Sequence, residues 1–318
     1  MNPAVQTLLD EIAQAKRRAE ERRRQREQAA DGGAGSAPHV TEEPQPPSSD
    51  ECCGNGCTPC VFDTYHAQLL AYRQGAHPPT TGQLSSLTAV PIPVLSSRPH
   101  GARAQLLVLD ATPATFVVGL GEHVHLRTPQ CPAGMARAFT PVLVADGAGV
   151  VRPHVLVRRY EGGVGRRLAG LRAGDLVMVR GPLRSSVDMT GALGPPACVL
   201  VAAGTGIALA FHVLQFAAAN SAYRGRPVVL VQCACDRRSL WLQEEIRGMQ
   251  GALPGLRYHV HVSGDEGRLD STRLAAMLGG IAGLADAAAV VCGPEGFNRD
   301  VARWLRELGL AADAIQVL

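Results

Sequence analysis

Residues 197–216 read ACVLVAAGTGIALAFHVLQF. The run is almost wholly apolar, with Gly204-Thr205-Gly206 at its middle. Its length approaches the roughly 20 apolar residues of a membrane helix. Two glycines at the centre suit a turn, Pro195 and Pro196 punctuate the start, and no aromatic or Lys/Arg belt brackets it. The run therefore reads as strand, tight turn and helix. Glycine lets the backbone approach a ligand closely. The helix that follows aims its free N–H groups and positive dipole end at the turn, which makes an anion site. Leu209 stands where the third glycine of GxGxxG would fall, so this is not the common dinucleotide fingerprint.

Downstream, apolar strand-like runs alternate with helical patterns. RPVVLVQCAC, RYHVHVSG and AAAVVCG read as strands, and SLWLQEEIRGM and GFNRDVARWLRELG as helices. That alternation predicts a parallel sheet covered by helices. Upstream, from about residue 84 to 182, the grammar is β throughout. AQLLVLDA, EHVHLRTP, AFTPVLVA, HVLVRRY and LRAGDLVMVRGP are short strand runs broken by Gly, Pro and Asp. They predict a small antiparallel barrel. The fold class expected is therefore a β barrel followed by an α/β nucleotide-binding domain.

The chain has 318 residues, 46% of them hydrophobic, enough for two domains with real cores. A net charge of +3 without a concentrated basic stripe, and only 4% aromatic residues, argue against nucleic-acid binding. Residues 1–30 are charged and helix-prone and lack a secretory apolar core. Asp10, Glu11, Glu20, Glu21 and Glu27 count against a mitochondrial presequence. The nine cysteines are odd in number and unevenly scattered, which points to a reducing compartment. The expected location is cytoplasmic or mitochondrial, not secreted, with no membrane span and a monomeric state.

Several stretches resemble, in order, the ferredoxin–NADP reductase superfamily, and within it the cytochrome b5 reductase branch. VLVAAGTGIALAFHVL is similar to the pyridine-nucleotide segment, GLGEHVHLR to the Gly-rich lead into a barrel strand, and ARAFTPV to the Arg-x-Tyr-Thr flavin motif. LRAGDLVMVRGP resembles the Gly-Asp turn and barrel-closing strand, and VVCGPEGF the Cys-Gly-Pro nicotinamide motif. The resemblance covers about residues 84–318. It implies FAD and NADH as cofactors, with NADPH possible, and a flavoprotein oxidoreductase. Such an enzyme passes hydride from NAD(P)H to FAD, then electrons to a separate acceptor protein such as a cytochrome b5-like haem protein. The alternative class is a non-catalytic binding or assembly protein that retains the reductase fold with a cysteine-rich interaction module.

The resemblance also assigns roles. Arg137 would grip a pyrophosphate oxygen, as a guanidinium can in bidentate fashion. Thr140 would hydrogen-bond the hydride-accepting nitrogen of the flavin, with Phe139 and Pro141 beside the ring. Gly163, Gly165 and Arg166 would cradle the flavin pyrophosphate. Gly204, Thr205 and Gly206 would face the pyridine nucleotide. Cys292, Gly293 and Pro294 would lie by the nicotinamide, with Cys292 setting hydride geometry rather than acting as a nucleophile. Asp236 after a strand favours NADH, while Arg237 and Arg238 suit a 2′-phosphate. Three positions depart from the family pattern: Phe139 replaces Tyr, Gly165 stands near the place of a phosphate-binding Ser, and Ala208-Leu209 replace Thr-Pro.

Residues 52–72, CCGNGCTPCVFDTYHAQLLAY, resemble the oxidoreductase-like N-terminal module. Cys57 and Cys60 form a CxxC, with Cys53 four residues earlier. Zinc or cluster binding, redox thiols and a plain interaction motif all remain open. The adjacency of Cys52 and Cys53 makes a shared tetrahedral site awkward, and Cys53, Cys57 and Cys60 are the candidate ligands. His77 in HPP sits in a linker-like stretch and is not read as a haem ligand. His123, His125, His259 and His261 alternate on strand patterns and read as strand-face residues. The expected partition is a charged segment over 1–43, the cysteine module over 44–76, an FAD-binding barrel over 84–190 and an NAD(P)-binding domain over 195–318.

Overall fold

A computed structural model describes residues 84–318, apart from 102, 113–114, 146–148, 186–188, 190–192, 194–195 and 224, together with residues 46, 62, 65, 66 and 69. The charged segment and the candidate ligands Cys53, Cys57 and Cys60 lie outside the described residues.

The first half contains strands β1 (Val90–His100), β2 (Ala104–Leu109), β3 (Glu122–Arg127), β4 (Arg137–Phe139), β5 (Val142–Ala145) and β6 (Val151–Arg158). A short helix α1 (Gly163–Ala169) and strand β7 (Leu176–Arg184) complete it. All pairings are antiparallel, in the order β4-β3-β7-β1-β2-β6-β5. The two outermost strands, β4 and β5, are separated in the chain only by Thr140 and Pro141. In a flat seven-stranded sheet those edges would lie about 29 Å apart, at roughly 4.8 Å per spacing. Two linking residues reach only about 10 Å. The sheet therefore rolls up until its edges meet, and the barrel expected from the sequence is closed at Thr140.

β1 was not among the expected strands, because Pro91, Pro93 and Pro99 interrupt it. Its burial nonetheless alternates cleanly: Val90, Ile92 and Val94 face in, and Pro91, Pro93 and Leu95 face out. Residues 90–93 pair with β7, and pairing with β2 begins only at Val94. The prolines fall on the stretch that one neighbour leaves free, where a missing N–H is tolerated. AFTPVLVA forms two strands rather than one run, broken at the Thr140-Pro141 corner.

The second half is a parallel sheet of β8 (Cys198–Ala203), β9 (Val228–Ala234), β10 (Leu256–Val262), β11 (Ala288–Cys292) and β12 (Ile315–Val317). The strand order is β10-β9-β8-β11-β12. It carries helices α2 (Ile207–Ala219), α3 (Gln243–Gly248), α4 (Ser271–Leu278) and α5 (Glu295–Glu307). The opening stretch thus divides into a six-residue strand, a tight turn at Gly204–Gly206 and a 13-residue helix. Among the described residues, no helix is long and apolar enough to cross a membrane. β8 reads as one apolar run because both of its faces are covered.

The helix expected over residues 239–249 shrinks to α3. Leu242 adopts a left-handed φ of 61°. The Trp241 carbonyl accepts from Gln232 Nε2 at 3.0 Å instead of starting a helical ladder. Neither α4 nor β12 was expected, and both are short.

Each sheet has its own core, and the two halves share a third. Ile92, Leu107, Leu109, Val124 and Val177 fill the barrel. Ala104, Leu106, Val142 and Leu156 of the barrel belong to one cluster with Leu200, Leu209, Phe211 and Leu214 of the second half. Every residue of β2 is buried, because Leu107 and Leu109 face the barrel interior while Ala104 and Leu106 face the seam. A fully buried side chain of this size contributes about 1.5–3 kcal/mol.

Candidate functional site

From β8 the chain moves to β9 and β10 on one side, then returns to β11 and β12 on the other. The reversal lies between β8 and β11, whose carboxyl ends are adjacent, with Ala202 opposite Cys292. Ligands bind parallel sheets in the crevice that such a reversal opens. Gly206 sits there. A Cβ on it would lie 2.2 Å from the Cys292 carbonyl oxygen and 3.0 Å from its Sγ, so only glycine fits. Gly204 takes a φ of +58° to make the turn. Burial pushes the Cys292 thiol up to about 11, so it stays protonated at neutral pH and is no thiolate nucleophile.

The barrel supplies the opposite wall. Arg137 and Phe139 stand on β4 and Thr140 on the closing corner. After β6 the chain runs through Gly162 and Gly163, the latter with φ +67°, into α1. A cavity of about 850 Å³ joins these walls across the seam. Of the expected residues it is lined by Arg137, Phe139, Thr140, Gly163, Gly165, Thr205, Gly206 and Cys292. Thr140 and Cys292, assigned from two separate motifs, face one hollow.

The other expected residues lie beyond that lining. Pro141 turns its carbonyl toward His212 Nδ1, 3.2 Å away. Arg166 donates to the Glu161 carbonyl at 3.2 Å on the exposed side of α1. Gly204 makes the turn itself, with open space where a Cβ would stand, and Pro294 caps α5. Gly293 is pressed against Phe297 and Ala203, 2.7 and 3.0 Å from its would-be Cβ. Asp236 follows β9, where Cys235 Sγ donates to its Oδ2 at 3.3 Å and hydrogen bonds hold its carboxyl below the usual range. Arg237 Nε pairs with Asp265 Oδ2 at 2.8 Å.

Several lining residues escaped the sequence reading: Glu122, His123, Arg158, Tyr160 and Leu318. Tyr160 explains one departure from the family pattern. A Cβ on Gly165 would lie 2.6 Å from Tyr160 Cδ2, so the tyrosine ring fills the space that a serine side chain would need. The Arg158 guanidinium lies 5.5 Å from the centre of that ring. The strand-face reading of the histidines holds for His125, whose Nδ1 meets Arg180 Nη2 at 3.0 Å. Burial first, then Arg180, His123 and Arg137, push its pKa down to about 3.

The cavity suits a dinucleotide in four respects. Arg137 and Arg158 place cations on its wall, and Arg137 makes no ion pair among the described residues. Gly162, Gly163 and Gly165 expose backbone without side chains. Gly206 clears a close approach to the sheet edge. The volume lies within the range of roughly 300–1,000 Å³ usual for ligand sites.

Comparison with known families agrees with this geometry. Residues 100–186 match the oxidoreductase FAD-binding domain, and residues 200–303 the oxidoreductase NAD-binding domain. Residues 38–78 match the N-terminal domain of oxidoreductase-like proteins. The chain thus carries an oxidoreductase FAD-binding domain followed by an oxidoreductase NAD-binding domain, in the order of the barrel and the parallel sheet. A human protein named NADH-cytochrome b5 reductase-like is 26% identical over 299 residues, covering 85% of this chain and 93% of its own length. The chain is similar to that cytochrome b5 reductase-like protein along most of its length, with FAD- and NAD-binding domains behind an oxidoreductase-like N-terminal module. Solved structures repeat the fold. The CS-b5R domains of human Ncb5or in the NAD+ form match with TM-score 0.61 and 19% identity, over 72% of this chain and 69% of that one. A ferredoxin NADP+ reductase from Neisseria gonorrhoeae with bound FAD and NADP matches with TM-score 0.60 and 14% identity, over 73% and 98%.

Proposed function

We propose that this chain is an NADH-dependent flavoprotein reductase that hands electrons to a separate haem protein of the cytochrome b5 kind. The observation that carries this reading is the single cavity in which Thr140 of the barrel faces Cys292 and Gly206 of the parallel sheet. FAD held by these walls would supply the chemistry of taking up a hydride and passing electrons on singly.

The protein's own part is positioning. Arg137 and the backbone of Gly163–Gly165 hold the flavin diphosphate, with Arg158 beside them. Tyr160 packs where a phosphate-binding serine is lost. Phe139 and Thr140 would border the flavin ring, with the Thr140 hydroxyl as the donor available to its hydride-accepting nitrogen. Thr205 and Gly206 seat the nicotinamide half of the nucleotide, and Cys292, protonated and uncharged, borders the ring without reacting. Donor and acceptor atoms must be held about 3–3.5 Å apart. Asp236, kept ionised, repels a 2′-phosphate, and Arg237 is already engaged by Asp265. These features favour NADH over NADPH.

Purified protein tests this directly. The expected result is a yellow protein whose flavin absorbance at about 450 nm is bleached by NADH faster than by NADPH, with reduced protein then reducing cytochrome b5. A colourless protein that ignores added FAD would favour the non-catalytic alternative.

A further inference from the structure

Two polar side chains of α2, His212 and Gln215, face out of the nucleotide half and into the barrel. His212 Nδ1 lies 3.2 Å from the Pro141 carbonyl and Nε2 lies 3.2 Å from the Gly119 carbonyl. Gln215, buried to 3% exposure, receives the Leu143 N–H at Oε1, 3.3 Å away, and donates from Nε2 back to the Leu143 carbonyl. The two residues are three apart, so they share one face of the helix. All four contacts bridge the two halves, across 71 to 93 residues of sequence.

Their targets are what distinguish them. Pro141 directly follows Thr140 and Leu143 lies two residues further on, and Gly119 begins the loop that reaches Gly121 and Glu122 on the cavity wall. At its other end α2 starts at Ile207, directly after the Gly204–Gly206 turn. His212 lies five residues beyond that start, about 7–8 Å along the axis. One short rigid element therefore touches both walls, the nucleotide turn with its first residue and the Thr140 corner with its second and third turns. The surrounding seam is apolar, with Val142, Leu209, Phe211 and Leu214 in one cluster. Apolar contacts are non-directional, whereas hydrogen bonds to fixed carbonyls set a register.

We propose that His212 and Gln215 are positioning residues that fix the spacing between the flavin wall and the nucleotide wall, rather than the affinity of either. This rests on the reductase reading above. Neither side chain lines the cavity, so neither touches a reacting atom.

The test uses the full chain with His212→Ala, Gln215→Ala and the conservative His212→Gln, whose amide N–H can replace the single N–H of a neutral imidazole. Stopped-flow bleaching by NADH, with and without deuterium at the transferred position, reads hydride transfer. Titration of FAD and NAD+ reads the two affinities. In the alanine variants the bleaching rate should fall about tenfold to a hundredfold, as a misplacement near 1 Å does. The isotope effect should rise toward its full value, FAD and NAD+ affinities should stay within about twofold, and His212→Gln should recover most of the rate. Hydrogen exchange on the protein without nucleotide gives a second readout, with faster exchange over residues 138–145 in the alanine variants and no change over 256–262.

Wild-type rates in both alanine variants would overturn the inference. So would loss of FAD binding or of the folded state in step with the rate, because the pair would then hold the seat rather than the spacing. A wild-type protein that binds both cofactors yet is never bleached would sink the reductase reading instead. Exchange over 138–145 would still decide whether the helix fixes the Thr140 corner.

Discussion

His125 works only as a neutral ring. Its Nδ1 meets the Arg180 guanidinium, which is all donor, so that nitrogen must be an acceptor. Burial, with Arg180, His123 and Arg137 around it, lowers its pKa to about 3 in the folded protein, against about 6.5 when unfolded. Because the folded pKa is depressed, folding favours the uncharged form. The stability this residue contributes is whole above pH 6.5 and is lost as pH falls from there toward 3, by at most about 1.4 kcal/mol per unit. Melting temperature should therefore drop steadily on acidification. His125→Gln, which keeps an acceptor for Arg180 and cannot titrate, should flatten that slope while leaving the value at pH 8 within a few degrees. An unchanged slope would assign the acid sensitivity to other groups. At this scale much of the site was legible. Arg137, Thr140, Gly206 and Cys292 were picked out by short motifs that resemble a known family, and all four line the cavity. His212, Gln215 and Tyr160 were not legible, because their significance lies in carbonyls and a glycine distant in the chain or across a turn.

At the scale of elements, the β1–β2 hairpin shows how one half leans on the other. Its tip residue Gly101 has a φ of +68°, and a Cβ there would lie 1.9 Å from the Arg238 carbonyl oxygen and 3.1 Å from Trp241 Nε1. The hairpin thus abuts the loop that follows β9, beside Asp236. Gly101→Ala must both strain the turn and push the two elements apart. It should cost about 2 kcal/mol or more. Chemical denaturation read by far-ultraviolet circular dichroism checks this, and a loss below about 0.5 kcal/mol would mean that the hairpin moves freely. Elements with a clear period were readable: β2, β8, α2 and α5 all fall where apolar runs or helical spacing put them. β1 was not, because its prolines mimic a loop and only the staggered pairing with β7 and β2 reconciles them with a strand. α3 was misjudged in length because Trp241 and Leu242 pack as anchors rather than helix residues, 3% and 2% exposed.

At the scale of the whole molecule, the two halves are not independent bodies that happen to be tethered. Ala104, Leu106, Val142 and Leu156 are built into the same cluster as Leu200, Leu209, Phe211 and Leu214, and His212 and Gln215 lace the same seam. Calorimetry should accordingly show residues 84–318 melting in one transition, with calorimetric and van't Hoff enthalpies in agreement. Two resolved peaks would mean that the seam parts before either core. The order of barrel and parallel sheet was readable from the change of grammar near residue 197. The seam was not, since a strand buried on both faces looks alike in sequence whether its second cover is a helix of its own domain or a neighbouring one. That double cover has a consequence for recombination. A chimera that grafts the nucleotide half of one such reductase onto the barrel half of another inherits a mismatched joint, even when every cofactor contact is preserved. Its success will follow how well the transplanted α2 fits around Leu106, Val142 and Leu156, not how faithfully the glycines and the cysteine are copied.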